Sequence, residues 1–185
     1  MSQKPDAIAK QIESVAGKKA KPPLDKWHPE LSGDIDIVVN RKGQWLYRGK
    51  PMAREAIVRL FSTILRREED GHYYLVTPVE KWRIEVEDAP LLAHSLKVEG
   101  EGRERALSVT TSVGEELPID EQHPLSVGTY PGTDEPRPVI LLPHGLEARL
   151  VTSAYYELAD LVAADNPDPD DPMGVWSHGN FYRIA

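Results

Sequence analysis

Two stretches of the chain, WLYRGKPMAREAIVRLF (Trp45–Phe61) and ILLPHGLEARLVTSAYY (Ile140–Tyr156), follow the same pattern. Each opens as a strand, passes a glycine-containing corner and continues with the period of an amphipathic helix. In the first, Pro51 suits the first turn of a helix. Ala53, Ile57, Leu60, Phe61, Ile64 and Leu65 then form one apolar stripe until RREEDG, with Gly71 past the end. In the second, LEARLVTSAYYELADLV puts Leu146, Leu150, Ala154, Leu158, Leu161 and Val162 on one stripe. Each helix leads through a loop to an aromatic strand, GHYYLVTP at 71–78 and GNFYRIA at 179–185. A unit of this kind occurring twice predicts a duplicated α+β protein.

The flanking sequence supplies the remaining strands. Ile35, Ile37 and Val39 alternate up to a turn at Asn40–Gly43, and Trp45 and Tyr47 carry the return strand of a hairpin. Tyr73–Thr77 and Trp82–Glu87 read as strands, and LKVEGEGRERALSVTTSV reads as a hairpin turning near Gly100–Arg105. GVWSHGNFYRI reads as a terminal hairpin turning at Gly179–Asn180, after the loop NPDPDDPMG. At the N-terminus Ile8, Ile12 and Val15 share a helical face that Gly17 would stop, and a basic, proline-rich linker follows. The expected organisation is a helix and linker over 1–27, one α+β repeat over 28–115 and a second over 116–185. Each repeat is expected to hold a small, mostly antiparallel sheet with one packed helix.

The chain has 185 residues, 40% of them apolar and 28% charged, the balance of a globular protein. It has no cysteine, which excludes disulfides, thiolate catalysis and cysteine-ligated metals. No apolar run approaches the roughly 18 residues of a membrane span, and the N-terminus lacks the apolar block of a signal peptide. A cytoplasmic location without membrane insertion is therefore expected. The net charge of −8 is uneven: residues 1–27 carry six lysines against three acids, whereas 116–185 carry three arginines against 12 acids. So acidic a final third disfavours nucleic-acid binding and assigns any anionic ligand to the first half.

Three strings, GDIDIVVNRKGQWLYRGKPMAREAIVRLF, GHYYLVTPVEKWRIEVEDAP and HGLEARLVTSAYYEL with GVWSHGNFYRI, resemble a bacterial family, domain of unknown function number 1285, over roughly residues 25–185. The resemblance implies a core built by domain duplication, with a C-terminal half superficially like a pleckstrin-homology domain. It also implies a nucleotide-like ligand between the halves and a role in signal transduction. It carries no catalytic residue.

The candidate site residues follow from local chemistry. Arg48 and Lys50 stand before the expected first helix and Arg54 lies in its first turn, where unpaired amides and basic side chains together attract an anion. His144 holds the matching corner of the second unit. On the strand Trp82–Glu87, Trp82, Ile84 and Val86 face the core, while Lys81, Arg83, Glu85 and Glu87 make a solvated face with cross-strand ion pairs. Thr77, Glu80, Lys81, Glu87 and Asp88 cluster at strand ends, where a rigid sheet presents polar groups. Trp176 offers a stacking wall beside His178 in the terminal hairpin. Glu87 and Asp88, if adjacent on a strand, point to opposite faces, so a catalytic pair is not expected unless the strand ends between them. The acidic loop lacks calcium-loop spacing and the histidines lack zinc spacing, so neither metal nor cofactor is expected. The function expected from these features is non-enzymatic: a regulatory module that senses a nucleotide-like or other anionic small molecule between the halves. The alternatives are a protein-interaction adaptor and, behind it, a small hydrolase using Glu80, Glu87 or Asp88 as base.

Overall fold

The computed structural model describes residues 4–16 and 21–185. The chain is α+β and forms two units, each built on a six-stranded mixed sheet with helix packed against it. The first unit is residues 1–90 together with His144–Leu146, and the second is 91–143 together with 147–185. The division therefore falls after Pro90, not at the expected 115/116. The hairpin strand that begins at Leu91 opens the second sheet.

In the first unit, β1 (Gly33–Val39), β2 (Trp45–Tyr47) and β3 (Lys50–Pro51) form an antiparallel meander. Helix α2 (Glu55–Thr63) follows, and then β4 (Leu65–Arg67), β5 (Tyr73–Val76) and β6 (Lys81–Val86) return toward the centre. The order is β3-β2-β1-β6-β5-β4, with β1 and β6 parallel. Ile35, Ile37 and Val39 from β1 and Trp82 and Ile84 from β6 are buried, as their alternation implies. Helix α1 (Pro5–Ala16) buries Ile8 and Ile12 and packs on α2, so the N-terminal helix belongs to this unit. Leu24 and Trp27 of the linker are buried as well. The Val15 side chain and the Gly17 stop lie outside the described residues.

Pro51 does not start the helix. It sits in β3 at the sheet edge, opposite Leu46, where a missing N–H costs no ladder hydrogen bond. The helix begins at Glu55, and Leu65, expected to end its stripe, is instead the first residue of β4.

The second unit runs through β7 (Leu91–Glu99), β8 (Ala106–Thr111) and β9 (Glu116–Pro118). It continues with β10 (Leu125–Thr129), β11 (Pro136–Leu141) and β12 (Glu147–Leu150), in the order β10-β11-β12-β7-β8-β9 with β12 and β7 parallel. Both sheets thus place one parallel pair at the centre of two antiparallel meanders. The helix lies between the meanders in the first unit and after them in the second. Helix α3 (Thr152–Asp165) buries Ala154, Leu158 and Val162 on the core, and β13 (Gly174–Ser177) with β14 (Asn180–Arg183) adds a separate hairpin.

The expected helix from Leu146 is therefore too long. Leu146, Ala148 and Leu150 are buried while Glu147 and Arg149 are only half-buried, which is a strand's period of two. Leu146, Leu150 and Ala154 satisfy both periods, and pairing of β12 with β7 and β11 decides between them. The terminal turn is centred on His178–Gly179 instead of Gly179–Asn180, because Ser177 pairs with Asn180.

Candidate functional site

Three hairpin tips share one backbone device. Arg48-Gly49, His144-Gly145 and His178-Gly179 all have positive φ: 50° and 78°, 63° and 74°, 48° and 80°. Two successive left-handed residues match the right-handed twist of the flanking strands, and glycine at the second position removes half of the strain. The repeated corners of the sequence are therefore strand-to-strand tips. Arg48 and Lys50 stand a strand ahead of α2, and His144 a strand ahead of α3, so neither corner is a helix start. Arg54 occupies the N-cap position of α2.

The fold nevertheless brings the three basic residues together. An apolar groove of about 410 Å³ lies between the start of α1, the β2–β3 tip and the first turn of α2. Tyr47, Pro51, Met52 and Ile57 form its floor. Arg48, Lys50 and Arg54 rim it, joined by Lys4 from the α1 end. The Arg48 guanidinium lies 5.2 Å from the centre of the Tyr47 ring, a cation–π contact that holds it over the floor. Arg54 is 3.5 Å from the Asp6 carboxylate, an exposed pair that is weak in water. The Tyr47 hydroxyl is buried and has no hydrogen-bond partner among the described residues.

A larger cleft, about 950 Å³, runs along the β1–β6 junction. Between Asp34 and Val38 β1 places three residues where β6 places only Ile84, and this irregularity spreads the two strands. Glu87 and Asp88 line the cleft with Asp34, Asp36 and Glu85, against Arg67, His72 and Arg83. Arg83 is bound through two hydrogen bonds of 2.8 and 3.1 Å to Asp34, which hold that carboxyl below its usual range. Arg67 stacks on Tyr73 at 5.3 Å and donates to the Gly71 carbonyl, and Glu87 accepts the Arg41 N–H at 2.9 Å. With its cations engaged and carboxylates in excess, the cleft repels an anion.

The remaining strand-end residues are engaged in holding the fold. Thr77 is buried, and its hydroxyl accepts the N–H groups of Val79 and Glu80 at 3.3 and 2.9 Å, closing the β5–β6 turn. Glu80 accepts from the Trp82 indole and the Gln11 amide, both at 3.2 Å, and so ties α1 to the turn. Lys81 donates to Glu68 at 2.8 Å and lies 4.7 Å from the Tyr74 ring centre. Asp70 accepts from the Tyr74 hydroxyl, and that bond first, with burial second, pushes the Tyr74 pKa up to about 12. His144 lies 3.2 Å from the Asp25 carboxylate. In the second unit, Trp176 is covered by Arg103 at 5.0 Å and packs on Phe181, while His178 borders a pocket of about 270 Å³ with Lys97, Glu99 and Glu116. Among the described residues no cluster of three or more His, Asp or Glu is placed to hold a metal ion, and no helix is long and apolar enough to cross a membrane.

Residues 22–89 match the family model described as the N-terminal domain of DUF1285, a domain of unknown function, and residues 90–184 match its C-terminal domain. The chain belongs to the DUF1285 family. The boundary between the two family domains falls within one residue of the structural division after Pro90. The fold is similar to the crystal structure of a DUF1285 family protein from Silicibacter pomeroyi DSS-3, with a TM-score of 0.85 and 39% identity over 100% of this chain and 96% of that one. A DUF1285 family protein from Shewanella baltica OS155 is similar at a TM-score of 0.53 and 29% identity, over 68% of this chain and 91% of that one. No curated protein matches the chain.

Within this DUF1285 chain, local sequence reasoning singled out Arg48, Lys50 and Arg54 as candidates, and the groove sets Lys4, Asp6, Tyr47, Met52 and Ile57 beside them. Tyr47, Met52 and Ile57 flank the basic corner and were legible as neighbours. Lys4 and Asp6 arrive through the packing of α1 on α2, for which the sequence carries no local signal.

Proposed function

We propose that this protein is a non-enzymatic regulatory module that binds a nucleotide-like or other anionic small molecule and passes its occupancy on as a signal. The observation that carries this reading is the groove of the first unit, where four basic residues from three elements surround an apolar floor. Its size falls in the range of small-molecule sites, and its composition, apolar with a few directed charges, is that of a binding pocket. The charge distribution agrees: the acidic cleft and the acidic final third repel an anion that this groove attracts. Among the described residues of the groove no nucleophile stands beside a base, so binding without turnover is the function it suits.

The test is a thermal-shift and calorimetric screen of nucleotides and anionic metabolites on the full chain and on Arg48→Gln/Lys50→Gln. Binding should raise the melting temperature of the wild type, leave the ligand chemically intact and weaken about tenfold or more in the double variant. A screen without hits, or a hit indifferent to both substitutions, refutes the reading.

A further inference from the structure

The groove also specifies what kind of anion it takes. We infer that its occupant is amphipathic, a single carboxylate or phosphate-monoester head on an aliphatic or aromatic body; this rests on the ligand-binding reading above and narrows it. A nucleobase is recognised through hydrogen bonds to its edges, from amides, hydroxyls or charged side chains, and here the charged side chains are the ones that must meet the anionic head. Among the described residues that line the groove there is no Ser, Thr, Asn or Gln, and Tyr47 is their one neutral polar side chain. Pro5, Pro51, Met52 and Ile57 offer only apolar surface, and Met52 in particular can reshape itself around an irregular hydrocarbon.

The cations are arranged for one head group. Arg48, Lys50 and Lys4 sit on long stems at the rim, where they meet an anion without leaving water, while the body of the ligand lies on the floor. Arg54 is already engaged by Asp6. A triphosphate would bring several charges to a protein whose net charge is −8, with too few cations to match them. An amphipathic anion instead gains most of its affinity from apolar contact, about fourfold per buried CH₂.

Isothermal titration of the full chain with octanoate, octyl phosphate, hexanoate, octan-1-ol, acetate and ATP tests this. Octanoate, octyl phosphate or both should bind saturably. Hexanoate should bind about 15-fold weaker than octanoate and octan-1-ol about tenfold weaker, with acetate weaker than either. Arg48→Gln/Lys50→Gln should weaken octanoate about tenfold and leave octan-1-ol unchanged. Ile57→Ser should weaken octanoate at a small cost to the urea midpoint, because Ile57 is half-buried, and both variants should keep the wild-type circular dichroism. ATP binding more tightly than either octyl probe, and still dependent on Arg48 and Lys50, overturns this inference and leaves the anion-binding module standing. Absence of binding by every anion removes both. Octanoate binding that ignores Arg48 and Lys50 overturns the inference by placing the ligand elsewhere.

Discussion

Replacing Glu68 with Gln should destabilise the first unit by about 2 kcal/mol, with a pH signature that identifies the cause. Glu68 accepts hydrogen bonds from Arg66 Nε at 3.1 Å, Arg66 Nη2 at 2.7 Å and Lys81 Nζ at 2.8 Å. The three side chains are 13%, 24% and 17% exposed for Arg66, Glu68 and Lys81, so water screens them only in part. A hydrogen bond to a charged group contributes about 1.5–3 kcal/mol. Gln keeps one acceptor oxygen but loses the charge, and Arg66 keeps its bonds to the carbonyls of Leu24 and Trp27, which limits the net loss to about 2 kcal/mol. For a chain of this size that corresponds to a fall in Tm of about 4–8 °C.

Burial alone pushes the Glu68 carboxyl up, but the bonds from Lys81 and Arg66 outweigh it and hold the folded-state pKa below the usual 4.5. A depressed carboxylate stabilises the fold above its unfolded pKa and loses that stabilisation as pH falls through the folded one. The difference between wild type and Glu68→Gln should therefore be full at neutral pH and shrink below about pH 4.5. Urea denaturation followed by tryptophan fluorescence from neutral pH to pH 3 measures it. A loss of stability under about 0.5 kcal/mol, or a difference that stays constant down to pH 3, refutes the reasoning.

Three further outcomes follow from the same kind of argument. Ser177→Ala should cost about 2 kcal/mol in urea denaturation, because the buried hydroxyl donates to the Ile119 carbonyl at 2.6 Å and accepts the Leu107 N–H at 3.0 Å, orphaning both. Gly174→Ala should cost about 2–3 kcal/mol, since its Cβ would lie 2.5 Å from Phe181 Cζ and from the Tyr182 carbonyl oxygen, whereas Gly128→Ala, with nothing within 4 Å, should change the midpoint little. Asp6→Asn should tighten octanoate binding in calorimetry by at most about fivefold, because it releases Arg54 from an exposed pair worth under about 1 kcal/mol.

Much of the fold was legible in short-range pattern. The alternation of Ile35, Ile37 and Val39 and the apolar Tyr73–Val76 identify strands because side chains i and i+2 share a sheet face whatever the sheet's partners. Arg83 on the solvent face, paired across strands with Asp34, was legible for the same reason. The stripe Ala154, Leu158 and Val162 is equally local. Where two periods fit one string, as at Leu146–Leu150, local pattern cannot choose, and the ladder to β7 and β11 settles it as strand. Pro51 and Arg48 were misplaced for a related reason: proline suits a helix start and a sheet edge alike, and only the β2–β3 pairing separates them.

By itself the amino-acid sequence determined the strands with one clear period, the core stripe of α3, the absence of thiol chemistry and the charge asymmetry between the first and last thirds. The tertiary structure alone decided the parallel pairing of β1 with β6 and β12 with β7, the division after Pro90 and the groove in which Lys4 meets Arg48, Lys50 and Arg54. Periodicity records what a residue shares with neighbours two to four positions away. The groove depends on α1 packing against α2 some 40 residues later, a contact selected by shape and burial across the whole unit.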